Sequence, residues 1–418
     1  MPHSPRTELL PVILGTDIGV YSIARSFHEA FGVRSVVVSG QSRGPIDHSS
    51  IIDNVYVGEG GTLDEELMVA TLIRIAEENA GRRLVLMVNM DQDVEMVLRH
   101  RERLERHYLV PLATTEAVRG ASDKAHLGEV ASSLGIGTPL SVPLETTADE
   151  QVWRERLADV PFPAILKPVD GGTVYGTLFF PGRKKAYPVD DVEAALAAMR
   201  LVRDGGFDGV MLAQELVPGD DTTSWVVNGY VDRSGTMTVA ASGVVLLGLH
   251  QPGFIGNAGI IFVKENPELI DQARRLVEAV GLRGFVSLDV KIDPRDGVAK
   301  FLDLNPRIGR GNYYVNVGGL NPVRAMVSDL VDGRALTPAV ARRRGVFGFV
   351  PTATIGWYVR DRALLREVLA VLARRRPVHP LRYAPDRNLR RWLYRRQAAV
   401  NQLLALARHY PRPTSSGF

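Results

Sequence analysis

One stretch near residue 300 limits the architectures open to this 418-residue chain more than any other. FVSLDVKID, PRDGVA and KFLDLNP read as strand, turn and strand, because apolar side chains recur there with the period of two that a pleated strand imposes. Alternation puts Ser287, Asp289 and Lys291 on one face, with Val286, Leu288, Val290 and Ile292 on the other. On the second strand Asp303 and Asn305 share a face, while Leu302 and Leu304 point away. A hairpin centred near Asp296 makes Asp289 and Asp303 equidistant from the turn, so two carboxylates and an amide converge.

Carboxylates facing each other across a sheet repel unless a cation lies between them. A surface hairpin with solvated acids is the simpler alternative, but the apolar neighbours Phe285, Leu288, Val290, Phe301, Leu302 and Leu304 predict buried strands, and buried charges are normally paired or metal-bound. With Asn305 as a neutral oxygen donor, Asp289 and Asp303 form the hard-oxygen set preferred by Mg²⁺ or Mn²⁺, with nucleotide phosphate oxygens completing the shell. Arg307, in the turn that follows, is placed to hold a transferring phosphoryl group, and Arg310 a second anion.

Composition narrows the chemistry further. Cysteine is absent, which excludes disulfides, thiolate nucleophiles and thiolate metal sites. With 45% hydrophobic and 23% charged residues the chain reads as globular, and its length calls for two or three lobes. LLPVILG is short, contains Pro11 and runs into Thr16 and Asp17, so it reads as a first strand. No apolar run approaches the roughly 18 residues of a membrane span, and the expectation is a soluble cytoplasmic protein. The net charge of +3 hides an asymmetry: residues 341–418 hold 17 Arg and no Lys against 3 acids.

The start of the chain alternates strand and helix, with PVILG, YSIARSFHEAFG, SVVVSG, DEELMVATLIRIAEENAG and RLVLMVN, which predicts a parallel sheet whose strand ends border a ligand crevice. Gly15 and Gly19 do not make the GxGxxG of a dinucleotide fold. A helix follows over SDKAHLGEVASSLG, with Ser122 as its expected cap and Gly135 at its end. Lys167 then interrupts the apolar strand PAILKP just before a glycine-rich loop holding Gly171, Gly172 and Gly176.

This order of features resembles that of the ATP-grasp proteins: a lysine on a helix (Lys124), a buried strand lysine (Lys167), a glycine loop, the hinge QELVPG, then an acid followed by an acid-x-Asn-x-Arg strand. More narrowly, PVILGTDIGVYSIARSFHEAFG, ILKP, GRKKAY, LVPGDDTTSWVVNGYVD, DVKIDPRDG and FLDLNPRIGRGNYYVNVGGLN resemble the D-aspartate ligase family of Gram-positive peptidoglycan synthesis. One departure stands out. The first acid of the last strand is usually Glu in ATP-grasp proteins and is Asp303 here, a methylene shorter, so whether it holds one metal or two stays open.

The resemblance implies an α/β ATP-grasp fold. It would comprise a Rossmann-like pre-grasp domain over 1–115, a grasp domain over 116–325 with its hinge near 214–218, and a basic, mainly helical region over 326–418. It implies that Lys124 and Lys167 contact ATP phosphates, that Gly171, Gly172 and Gly176 let the loop close on them, and that Gln214, Glu215, Leu216 and Val217 meet adenine. One of Glu215, Asp220 or Asp221 would take the ribose, and Asp289, Asp303 and Asn305 the Mg²⁺.

The implied reaction phosphorylates a carboxylate to an acyl phosphate, which an amine attacks to give an amide, ADP and phosphate. The implied substrates are D-aspartate and the lysine side chain of a UDP-linked or lipid-linked muropeptide. Arg307 or Arg310 would bind a substrate carboxylate, with Asp17, Tyr21, Ser22 and Arg25 lining the same cleft at the first strand's end. Of the nine His, His250 in GLHQPGFIGNAG is the one placed near the site, with a satisfied loop histidine as its alternative.

Two other functions stay open: an ATP-grasp ligase for a different carboxylate and amine, and a nucleotide-binding protein without catalysis. The basic tail reads as an arginine-decorated helical lobe. Its alternative is peripheral contact with anionic lipid at the inner membrane face through Arg390, Arg391, Trp392, Arg395 and Arg396. Nothing resembles a nucleic-acid recognition motif, and homo-oligomerisation stays open.

Overall fold

The structure, a computed structural model, describes residues 6–58, 60–62, 64–169 and 174–414. The first four strands, β1 (Leu9–Leu14), β2 (Ser35–Ser39), β3 (Ile52–Tyr56) and β4 (Arg83–Met87), form a parallel sheet in the order β3-β2-β1-β4. β3, with the mixed sequence IDNVY, was not legible as a strand. Asp17 ends the turn after β1 and caps the helix Ile18–Phe31, accepting the Gly19 and Val20 amides at 2.8 and 3.0 Å. That helix closes at Gly32, whose left-handed φ of 66° suits glycine.

A second, antiparallel sheet has the order β5-β8-β6-β7, from β5 (Ser141–Glu145), β6 (Ala164–Pro168), β7 (Tyr187–Val189) and β8 (Val210–Glu215). It carries Lys167 on β6 and the hinge at the end of β8. Its core is its own, built from residues between Leu144 and Ala213 around the fully buried Trp153.

The third sheet is the largest. β9 (Ser224–Val231), β10 (Met237–Gly248), β11 (Ala258–Val263), β12 (Gly284–Ile292), β13 (Ala299–Asn305) and β15 (Gly345–Gly348) follow the order β13-β12-β9-β10-β11-β15, with β14 (Ala339–Val340) beside β10. Its two faces pack with the first sheet and its helices into two continuous apolar cores. The region after 326 is mainly helical, with helices Arg362–Arg374 and Leu389–His409, but it also supplies β14 and β15 to this sheet. Among the described residues no helix is long and apolar enough to cross a membrane.

The separate core of the second sheet has a measurable consequence. Trp153 is fully buried and its indole N–H donates to the Glu145 carbonyl at 2.7 Å. Trp153→Ala should cost about 3–5 kcal/mol locally. Hydrogen exchange should then accelerate across residues 141–215 while residues 9–87 keep their protection; equal acceleration in both would contradict independent cores.

Candidate active site

The hairpin forms with the register alternation predicts: Asp289 lies opposite Asp303, and Ser287 opposite Asn305. Beyond that pair the register shifts by one, Val290 facing Phe301, which leaves Leu302 as the extra residue of a β-bulge. The bulge corrects one expectation. Phe301 and Leu304 both enter the core, whereas Leu302 is only half-buried.

Cations face the acids. Lys124 opens the helix Lys124–Ser133, and its Nζ pairs with Asp303 Oδ1. The cap is Asp123, whose Oδ1 accepts the His126 amide at 3.2 Å; the expected cap, Ser122, ends the preceding helix and donates to the Val118 carbonyl. From the second sheet, Lys167 Nζ comes to 3.6 Å from Asp303 Oδ2. Burial pulls Lys124 down to about 8, although Asp289 and Asp91 favour its charge. Burial and the charge of Lys124 push Lys167 well below the usual lysine value. Asp289 is raised by burial, against the opposing pull of Arg307, Lys185, Lys124 and Lys167. Two ammonium groups thus meet one carboxylate at close range, an arrangement that stabilises added negative charge.

Arg307 and Arg310 tie this hairpin to the first sheet. Asp91 starts the helix Asp91–Arg99 at the end of β4 and takes a bidentate pair from Arg307, Nε at 2.6 Å and Nη2 at 3.0 Å. Burial opposes ionisation of Asp91, but the guanidinium holds its carboxyl below the ordinary value. Arg307 Nη2 also donates to Asn305 Oδ1 at 3.3 Å, while Asn305 Nδ2 donates to the Ser287 carbonyl at 3.2 Å.

Arg310 lies between the rings of Phe254 and Phe349, at 5.0 and 5.2 Å, with Nε 2.9 Å from Asp17 Oδ2. That contact is not aligned as a hydrogen bond, and among the described residues Nε and Nη1 have no hydrogen-bond acceptor. Gly19 lies close against this arginine: a Cβ there would meet the Asn89 side-chain nitrogen at 2.6 Å and the Arg310 Cα at 3.0 Å.

The remaining expected residues separate into two groups. At the hinge, the Glu215 amide bonds the Leu140 carbonyl at 2.8 Å, the Leu216 amide bonds Pro163 at 3.1 Å, and the Gln214 side chain donates to Ser141 at 2.9 Å. The Glu215 carboxylate pairs with Arg295. Asp220 caps the short turn after the hinge, whereas Asp221 accepts from the Gly248 amide at 2.8 Å and meets His250 Nε2 at 3.0 Å. His250 stacks on Tyr410 with ring centres 3.4 Å apart. Gly176 lies in the turn Tyr175–Thr177; Gly171 and Gly172 fall outside the described residues.

Tyr21, Ser22 and Arg25 do not join Asp17 at the arginines. Tyr21 donates to Asp386 at 2.8 Å and Ser22 to the Ile18 carbonyl at 2.7 Å. Arg25 is spent on Glu29 and on the carbonyls of His379, Pro380 and Arg382.

Three charged residues here were not singled out from sequence. Asp91 follows a parallel strand's C-terminal end, the same signal that drew attention to Asp17. Lys185, in GRKKAY, donates to the Ile255 carbonyl at 3.2 Å; burial lowers its ammonium, with Asp289 and Asp91 pulling the other way. Asp93 is buried, its Oδ2 without a hydrogen-bond partner among the described residues, and burial followed by the charges of Asp91 and Asp17 raises it to about 7.

No protein-family model matches the sequence. The fold is similar to those of an L-amino acid ligase from Bacillus licheniformis (TM-score 0.54, 16% identity, covering 77% of this chain and 74% of that one) and phosphoribosylamine–glycine ligase from Thermotoga maritima (0.56, 18%, 81% and 78%). It is also similar to that of an Aspergillus clavatus carboxyaminoimidazole ribonucleotide synthase complexed with ATP (0.57, 13%, 81% and 80%). This is the ATP-grasp fold. In sequence it is similar to the D-aspartate ligase of Enterococcus faecium (strain Aus0004), with 26% identity over 394 residues, 92% of this chain and 93% of that one.

Asp93 makes the fold sensitive to pH. Its folded value, about 7, exceeds the unfolded value of about 3.9, so the native state keeps a proton that the unfolded chain has released. Stability therefore falls as pH rises through that interval. Asp93→Asn should be more stable than the parent at pH 8, by on the order of 1–3 kcal/mol, with the gap closing near pH 4 in urea melts. A gap independent of pH would contradict the assignment.

Proposed function

We propose that the protein joins an amino acid carboxylate to an amine at the expense of ATP, with D-aspartate as the donor and the lysine side chain of a muropeptide precursor as the acceptor. The observation that carries the chemistry is the pair of lysines, Lys124 and Lys167, converging on Asp303 directly across from Asp289. The similarity to D-aspartate ligase along nearly the whole chain supports the choice of substrates.

In this reading Lys124 and Lys167 hold the ATP phosphates as compact ammonium donors. Gln214 to Val217 border adenine, and the ribose falls to Glu215, Asp220 or Asp221. Gly171, Gly172 and Gly176 let the loop approach the triphosphate. Asp289, Asp303 and Asn305 fit Mg²⁺ or Mn²⁺, because two carboxylates and an amide oxygen are hard donors. When bound, the ion would neutralise phosphate charge.

Arg307, locked by Asp91, is positioned for the transferring phosphoryl group, and Arg310 has two free N–H donors for a substrate carboxylate. The donor carboxylate oxygen attacks the γ-phosphorus and ADP leaves. The acceptor nitrogen then attacks the acyl carbon, losing a proton as phosphate departs. The arrangement contributes positioning and charge stabilisation, so no side-chain nucleophile is required.

The test is phosphate release from ATP across D- and L-amino acids, with and without a lysine-containing UDP-muropeptide. Release should require D-aspartate and the muropeptide together, with a matching mass gain on the acceptor. Lys167→Ala should lower kcat/KM about 10²–10³-fold. Release with another pair would keep the chemistry and change the substrates; ATP binding without release for any pair would leave a nucleotide-binding protein.

A further inference from the structure

The last helix, Leu389–His409, is turned the opposite way from a helix that completes a core. A helix of a globular protein normally buries its apolar stripe and shows its charges to water. Here the buried residues are Arg391 and Leu406, while Leu389, Leu393, Val400 and Leu404 are each more than half exposed. Intervals of four, seven and four residues put these four side chains on one stripe, about 22 Å long. Single exposed leucines need no account, but a row of them along one helix face marks a surface that meets something apolar.

The helix is held in this orientation from behind. Arg391 pairs with buried Asp386 at 3.2 Å and donates through Nη1 to the Pro45 and Asp47 carbonyls at 3.1 and 2.8 Å. Asn388, the cap, donates to the His48 carbonyl at 2.7 Å, and at the other end Leu406 and Tyr410 enter the core. Arg391, expected from the sequence to meet lipid, is therefore an inward anchor. The apolar stripe faces outward whether or not a partner is present.

Charge selects what covers the stripe. The helix carries five Arg and no acid. Arg390 and Arg408, 18 residues or five turns apart, edge the stripe near its two ends. Exposed Arg396 lies within it, its guanidinium 5.1 Å over the Trp392 ring. Arginine stems of this kind lie along apolar surface while their heads reach anions. Trp357, also exposed, donates its indole N–H to the Pro411 carbonyl at 3.1 Å, so an amphipathic ring stands near each end of the helix. A second copy is a poor cover, because an isologous contact would set these arginines against themselves. Leucines between arginines and indoles on a convex helix match the boundary between acyl chains and anionic headgroups.

We infer that this face docks the protein on an anionic bilayer surface. The helix lies in the plane of the interface, with the leucines at the acyl boundary and Arg390, Arg396 and Arg408 at the lipid phosphates. Such a helix sinks only about 5–10 Å, so the attachment is peripheral. It is independent of the ligation chemistry.

The test is co-sedimentation of the full-length protein with vesicles of phosphatidylcholine, alone or mixed with an equal amount of phosphatidylglycerol, alongside its size in solution. Leu393→Ser/Leu404→Ser removes the middle of the stripe, and Arg390→Gln/Arg408→Gln removes its edge charges. All four side chains are exposed, so an unchanged melting temperature is expected and shows that each variant is folded. The parent should bind the mixed vesicles at least about tenfold more tightly than phosphatidylcholine alone, and each variant should lose at least about tenfold of that affinity. A parent that ignores the mixed vesicles would overturn the inference, and so would undiminished binding by the leucine variant, which would mean charge attraction without docking of this face. A parent dimer that the leucine variant dissolves, with no vesicle binding, would assign the face to a second copy instead. A monomer that binds no vesicles would leave it to an acidic protein partner and overturn the inference equally.

Discussion

Two carboxylates held opposite each other on β12 and β13 set the terms for the rest of the site. Asp289 and Asp303 cannot move apart, because their strands are fixed by Phe301, Leu288 and Leu304 in the core. Their charge must therefore be met by groups brought from elsewhere. Lys124 comes from a helix N-terminus and Lys167 from a different sheet, so the second sheet is attached electrostatically where its separate core does not attach it hydrophobically.

The first sheet supplies the opposite wall. Asp17 and Asp91 both follow C-terminal ends of parallel strands, where helix N-termini also gather, and each meets an arginine from the turn after β13. The two arginines are held differently. Arg307 is fixed by a bidentate pair and suited to a single geometry, whereas Arg310, sandwiched between Phe254 and Phe349, retains free donors. The C-terminal region closes the same side through Tyr410 on His250 and Asp386 on Tyr21, so its positive charge belongs to the body of the protein.

What the sequence disclosed and withheld follows from the range of the interactions. The Asp289–Asp303 register was legible because strand alternation and turn counting are local. The bulge at Leu302 was not, since it depends on how β12 and β13 pair. Ser122 and Asp123 are both good caps, and only the break between two helices selects Asp123. Arg25 reads as a cleft residue from its place near β1, whereas the carbonyls it meets lie more than 350 positions away and leave no local signal. Asp91 obeys the same strand-end rule as Asp17, whereas the place of Lys185 depends on its loop reaching the Ile255 carbonyl, which no local pattern encodes.

The most direct test of this account is the Mg²⁺ dependence of binding by a non-hydrolysable ATP analogue, compared between the parent and Asp303→Asn. If the facing acids exist to hold a divalent ion against phosphate, Mg²⁺ should tighten binding to the parent by at least about tenfold, or about 1.4 kcal/mol, and the variant should lose most of that gain. An equal gain in both proteins would mean that the acids serve only to hold the lysines, and the account of the hairpin would be wrong.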